Sequence, residues 1–112
     1  MLFALTLLTA ALTRLADLAS VVEADTMPET RDFCVTGTVS YVLVFQYKLC
    51  HVLLENEGIG VDVIGSFRNS PTPDLGDWVR LDGKIAPSGA GGFLPKFSRL
   101  EIIRHGEAPR PL

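Results

Sequence analysis

Between Phe33 and Tyr41 the chain alternates strictly: Phe33, Val35, Val39 and Tyr41 share one parity, and Cys34, Thr36, Thr38 and Ser40 share the other. A period of two predicts a half-buried strand, and Gly37, on the apolar parity, marks where such a strand can bend. Lys48 to Glu55 predicts a second strand. It is apolar on both parities at Val52-Leu53-Leu54, so part of its outer face is expected to be covered. Asn56-Glu57-Gly58 predicts a tight hairpin turn, with Gly58 at positive φ, and Ile59 to Ile64 a third strand. From Ser66 to Gly76, Asn69, Ser70, Pro71 and Pro73 disfavour regular structure. Trp78, Arg80, Asp82 and Lys84 then alternate with Val79, Leu81, Gly83 and Ile85, predicting a fourth strand. Phe93 to Ile103 predicts a fifth, after a glycine-rich loop at residues 87–92. The expected core is Val35, Val39, Val52, Leu54, Val61, Val79, Leu81 and Ile102.

The first hairpin turn is expected at Val44 to Tyr47, which sets Tyr41 opposite Cys50. Cys34 then falls on the other face, so both cysteines are expected to stay unpaired. Upstream, Leu12, Leu15, Leu18 and Val22 recur at helical spacing, with Arg14, Asp17 and Glu23 between them. This predicts an amphipathic helix over residues 12–24, a candidate cover for the second strand. The chain therefore divides into an apolar leader at 1–11, a helix and connector at 12–31, a barrel at 32–106 and a proline-containing tail at 107–112. The class this predicts is all-β: a small five-stranded OB-fold barrel with an N-terminal helix. The leader has the length of a signal-peptide h-region and small residues at Thr9, Ala10 and Ala11, but no basic residue precedes it. It reads equally as the start of the helix. It is too short to span a bilayer, which takes roughly 20 residues.

At 112 residues the chain makes one domain with a modest core. The net charge of −3 is uneven: residues 1–62 hold three basic and eight acidic side chains, a balance of −5, and residues 63–112 hold seven and five, a balance of +2. Nucleic-acid binders usually carry a basic excess that displaces counterions, so such a partner is disfavoured. No catalytic group and no cofactor is expected. Cys50 and His51 are adjacent on a strand and point to opposite faces, and neither zinc nor calcium ligand spacing is present. A packed or surface role suits His51, and an exposed one His105. The glycines at 89, 91 and 92 lack the lysine and the helix of a phosphate loop. In an OB fold the loop after the first strand and the loop before the fifth border the ligand face. This makes Tyr41, Phe45, Tyr47, Lys84, Lys96 and Arg99 the candidate binding residues, with Tyr41 alternatively in the core. No metal site is expected.

Val35-Thr36-Gly37-Thr38-Val39-Ser40-Tyr41, Leu54-Glu55-Asn56-Glu57-Gly58-Ile59-Gly60-Val61, Gly76-Asp77-Trp78-Val79-Arg80-Leu81-Asp82-Gly83 and the segment from Ala86 to Pro95 together resemble a known module. It is the OB-like domain of the extracytoplasmic sensory regions of bacterial histidine kinases and related signalling proteins. Leu12 to Leu18 is similar to the segment that opens such modules, and Leu54-Glu55 stands where they usually carry Gln-Asp. The resemblance implies a non-enzymatic binding or interaction module, sensory and periplasmic, with a small ligand or a protein as partner. It implies membrane attachment only through a parent segment outside this chain. The alternative reading is a single-strand nucleic-acid-binding OB domain.

Overall fold

The computed structural model describes residues 11–23, 31–45, 49–66, 71–87 and 93–106. One helix, α1 (Leu15–Glu23), precedes five strands: β1 (Arg31–Val44), β2 (Leu49–Asn56), β3 (Ile59–Ser66), β4 (Trp78–Pro87) and β5 (Phe93–Arg104). The strands close into a barrel in the order β1-β2-β3-β5-β4. All neighbours are antiparallel except β3 and β5. This is the small OB-type barrel that the alternation predicts.

β1 closes the barrel by serving two neighbours. Arg31 to Thr38 pair with β4, and Thr38 to Val44 pair with β2. A row of cross-strand partners leaves β1 at Asp32, passes Lys84, Lys96, Ile64 and His51, and returns to β1 at Leu43. That stagger along one strand is what closure of a sheet with tilted strands requires. The inward parity of each strand supplies the core. Val35, Val39, Val52, Leu54, Val61, Val79 and Leu81 are buried as expected, and Val63, Ile85, Phe97 and Leu100 join them. Ile102, the last inward position of β5, is only partly buried against that core. Phe97 fits because its partners on both sides are glycines, Gly65 and Gly83. A Cβ on Gly65 would stand 2.5 Å from the ring.

The first hairpin departs from the expected register. β1 runs on to Val44, and the amide of Phe45 donates to the carbonyl of Leu49 at 2.6 Å. Val44 therefore pairs with Cys50 and Tyr41 with Leu53, after a bulge between Val39 and Tyr41. The extra residue at Ser40 moves Tyr41 out of the inward parity that Val35 and Val39 keep. In the second hairpin Glu57 and Gly58, at φ of 52° and 79°, form the two-residue turn, and its positive angles suit the twist of the flanking strands.

The helix is shorter than its periodicity predicts. Leu12 is outside it, in a parallel bridge to Phe33: its amide donates to the Asp32 carbonyl at 3.0 Å, and its carbonyl accepts from the Cys34 amide at 2.8 Å. α1 begins three residues later and buries Leu15 and Leu18. It packs mainly on β3, β5 and β1, so it does not provide the expected cover for β2. The reason lies in the seam it fills. β3 and β5 pair at only two positions, Ile64 with Lys96 and Gly65 with Phe97, and the helix supplies the apolar contact that the short ladder lacks.

Asp77, on the turn into β4, is the buried acidic residue of the barrel. Its carboxylate accepts from the amides of Asp74 at 2.9 Å and Gly106 at 3.0 Å, and His105 Nδ1 lies 3.4 Å away. Its backbone is tied as well: the Val39 amide donates to the Asp77 carbonyl, and the Gly76 amide to the Val39 carbonyl. Through its side chain Asp77 thus joins the entry to β4 to the exit from β5, and through its backbone it joins both to the middle of β1. Burial alone would raise its pKa. The two amides and His105 outweigh burial and hold the carboxyl below its ordinary value.

Candidate functional site

With β2 uncovered by the helix, the outer faces of β2, β3 and the second half of β1 form one surface. Two rows cross it. Tyr41, Leu53 and Asp62 are partners in one row; Leu43, His51 and Ile64 are partners in the next. Adjacent strands lie about 4.8 Å apart, so each row brings its side chains into contact range. Most of these residues are apolar, yet Tyr41 is 52% and Leu43 38% exposed, and Phe45 and Leu49 at the hairpin tip are 50% and 54% exposed. An apolar group of this size on one face is more than the scattered exposure of an ordinary surface.

The polar groups on this face are already oriented. His51 Nδ1 lies 2.8 Å from Asp62 Oδ2, and the ring of Phe45 meets His51 edge-on, with centroids 5.4 Å apart. The imidazole is held between a carboxylate and an aromatic ring, with its remaining nitrogen available. Ser40 Oγ donates to the Leu53 carbonyl at 3.3 Å, which ties the bulge to β2 beneath Tyr41. Such a face can stack planar groups on Tyr41 and Phe45, cover apolar ones with Leu43, Leu53 and Ile64, and present the His51 Nε2 as a hydrogen-bond partner.

The candidates read from the sequence divide. Tyr41 and Phe45 belong to the face, and its half-exposed position excludes Tyr41 from the core. Tyr47 lies outside the described residues. Lys96 and Lys84 continue the row of Leu43, His51 and Ile64 onto β5 and β4. Lys84 is 3.8 Å from Asp32, whereas no ion pair joins Lys96 to a described residue. Arg99 does not belong to the face. It stands opposite Asp82 and lies 3.9 Å from Glu101, on an outer surface where Arg80 also pairs with Glu101. The three basic residues therefore do not make one free patch. Leu43, His51, Leu53, Asp62 and Ile64 share this face with Tyr41 and Phe45 and were not among the candidates read from the sequence. The available signal was apolar residues on the outward parity of two successive strands, Leu53 on β2 and Ile64 on β3.

Cys50 faces inward beneath His51, and both cysteines are free. Burial pushes the Cys50 thiol up to about 11, against the hydrogen bond it makes to the Gly65 carbonyl. The Cys34 thiol is raised chiefly by its hydrogen bond to Asp82, its cross-strand partner. Neither is activated as a nucleophile, which needs a lowered pKa or an adjacent base. A second, small concavity lies where α1 meets the turn after β2, lined by Arg14, Leu15, Asn56, Glu57 and Ile59 among others. Among the described residues, no cluster of three His, Cys, Asp or Glu side chains gathers to hold a metal ion. No family model matches this chain, and no curated protein matches it.

Proposed function

We propose that this chain is a non-enzymatic OB-fold binding module whose ligand or protein partner docks on the outer face of β1, β2 and β3. The observation that carries the reading is the exposed apolar group of Tyr41, Leu43, Phe45 and Leu49, set beside the oriented His51–Asp62 pair. In OB barrels the face of the second and third strands, bordered by the loops after the first strand and before the fifth, is where ligands commonly bind. A sensory, extracytoplasmic setting is the finer part of the proposal. It is supported by the resemblance of the Val35–Tyr41, Gly76–Gly83 and Ala86–Pro95 segments and by the signal-like apolar run at residues 2–12.

The competing partner is single-stranded nucleic acid. One observation favours it: Lys96 is the cross-strand partner of Ile64 and extends the row of Leu43, His51 and Ile64 with a positive charge. Against it stand the acid balance of −5 over residues 1–62 and the pairing of Lys84 and Arg99 with carboxylates. Fluorescence anisotropy with a labelled oligonucleotide at about 150 mM salt separates the two. The expected result is no saturable binding in the micromolar range. Micromolar affinity that falls steeply with added salt, and disappears on replacing Lys84, Lys96 and Arg99, would establish the competing reading.

A further inference from the structure

Among the described residues, the second half of β1 pairs with one strand, β2. Phe45 donates toward β2, so by the alternation of a ladder Leu43 and Tyr41 also direct their backbone groups to β2, and Val42 and Val44 direct theirs away. On that far edge Val39 is satisfied by Gly76 and Asp77. Beyond it the amides and carbonyls of Val42 and Val44 meet no strand among the described residues. Exposed edges are normally blunted by lysine, proline or inward-pointing charge. This one has none of these: residues 33–47 carry no charged side chain and no proline. Valine, leucine and aromatic residues dominate its end, a composition that favours strand pairing.

We propose that β1 pairs with β1 of a second copy of this chain, antiparallel across a two-fold axis, through the outward edge of Val42 and Val44. The occupant is a second copy because the edge complements itself. Antiparallel pairing of identical strands is the isologous arrangement that closes after two subunits. Because the segment is uncharged, it sets no like charges opposite one another. It also offers no charged side chain to select an acidic or basic peptide in place of itself. Pairing brings Tyr41 and Leu43 of both copies onto one continuous outer surface, which doubles the apolar face described above.

The test uses the full chain and a proline at Val44, which is 54% exposed. Proline there removes an amide that faces away from β2, so the monomer keeps its ladder while strand addition is blocked. Light scattering after size exclusion, over micromolar to millimolar concentration, is expected to show wild-type mass rising to twice the monomer. Val44→Pro should stay monomeric with an unchanged circular dichroism spectrum. Leu43→Lys, a second variant, should also remain monomeric, because it faces two ammonium groups across the axis. Hydrogen exchange at the Val42 and Val44 amides should slow as concentration rises. A wild type that is monomeric throughout, variants that dimerise like the wild type, growth beyond two copies, or edge amides already protected in dilute monomer would each overturn the proposal.

Discussion

Asp77 shows how much one buried residue can hold. Its side chain is 2% exposed and accepts two backbone amides. Removing a charged acceptor from buried donors costs about 2–3 kcal/mol, so Asp77→Ala is expected to lower the unfolding free energy by that amount, read as a lower urea midpoint at unchanged slope. Because the folded pKa lies below the unfolded one, this contribution is present above the unfolded value. It is lost as pH falls through the folded value. The stability gap between wild type and Asp77→Asn, measured by denaturation at several pH values, should therefore be widest near neutrality and narrow below about pH 4. A gap that widens in acid contradicts this role. The cysteines give a second residue-scale expectation. With Cys50 buried and its thiol at about 11, Ellman's reagent should reach it only after denaturant is added, whereas Cys34, half-buried beside Asp82, should react slowly in the native protein. Rapid titration of two thiols in the native state would refute it.

At the scale of elements, period-two alternation made β1 and β4 readable, turn residues between strands bounded the other three, and the turn at Glu57-Gly58 announced itself through its glycine. The register of the first hairpin did not. Nothing in Val42 to Tyr47 is a glycine, proline, asparagine or aspartate, so no residue marks the turn, and a bulge at Ser40 has no composition of its own. A one-residue slip exchanges faces, which is why Tyr41 stayed ambiguous and the partners of His51 went unseen. The helix was legible as a helix but its docking was not, because the short β3–β5 ladder that it completes is a property of the closed sheet. Leu18 is wholly buried there. Leu18→Ala is expected to cost about 2–5 kcal/mol, read from thermal or urea denaturation. A change under about 0.5 kcal/mol, the range of surface substitutions, would show that α1 does not hold the seam. Gly83 makes the complementary case: a Cβ there would stand 1.9 Å from the Lys96 carbonyl, a backbone atom that cannot turn aside. Gly83→Ala should cost at least about 1–3 kcal/mol in the same assay. A neutral result would place β4 and β5 in another register.

For the whole molecule, a barrel that buries its inward parity leaves its outward parity to function, and the two outer surfaces differ in kind. The β4–β5 side is charged and largely self-paired, with Arg80, Glu101, Asp82 and Arg99 in mutual contact or partnership. Among the described residues, the β1–β2–β3 side carries the exposed apolar and aromatic group around the His51–Asp62 pair. Composition alone showed an excess of neither; their separation follows from closure, which puts outward residues of strands distant in sequence on one surface. We propose the β1–β2–β3 side as the binding surface. Chemical-shift mapping of isotope-labelled protein with small aromatic fragments, indole and p-cresol, tests it most directly. Saturable shifts are expected, confined to Tyr41, Leu43, Phe45, His51, Leu53, Asp62 and Ile64 and abolished in a folded Phe45→Ser, Leu43→Ser double variant. Shifts concentrated on β4 and β5 or around Arg14 and Glu57, or shifts unchanged in that double variant, would contradict it.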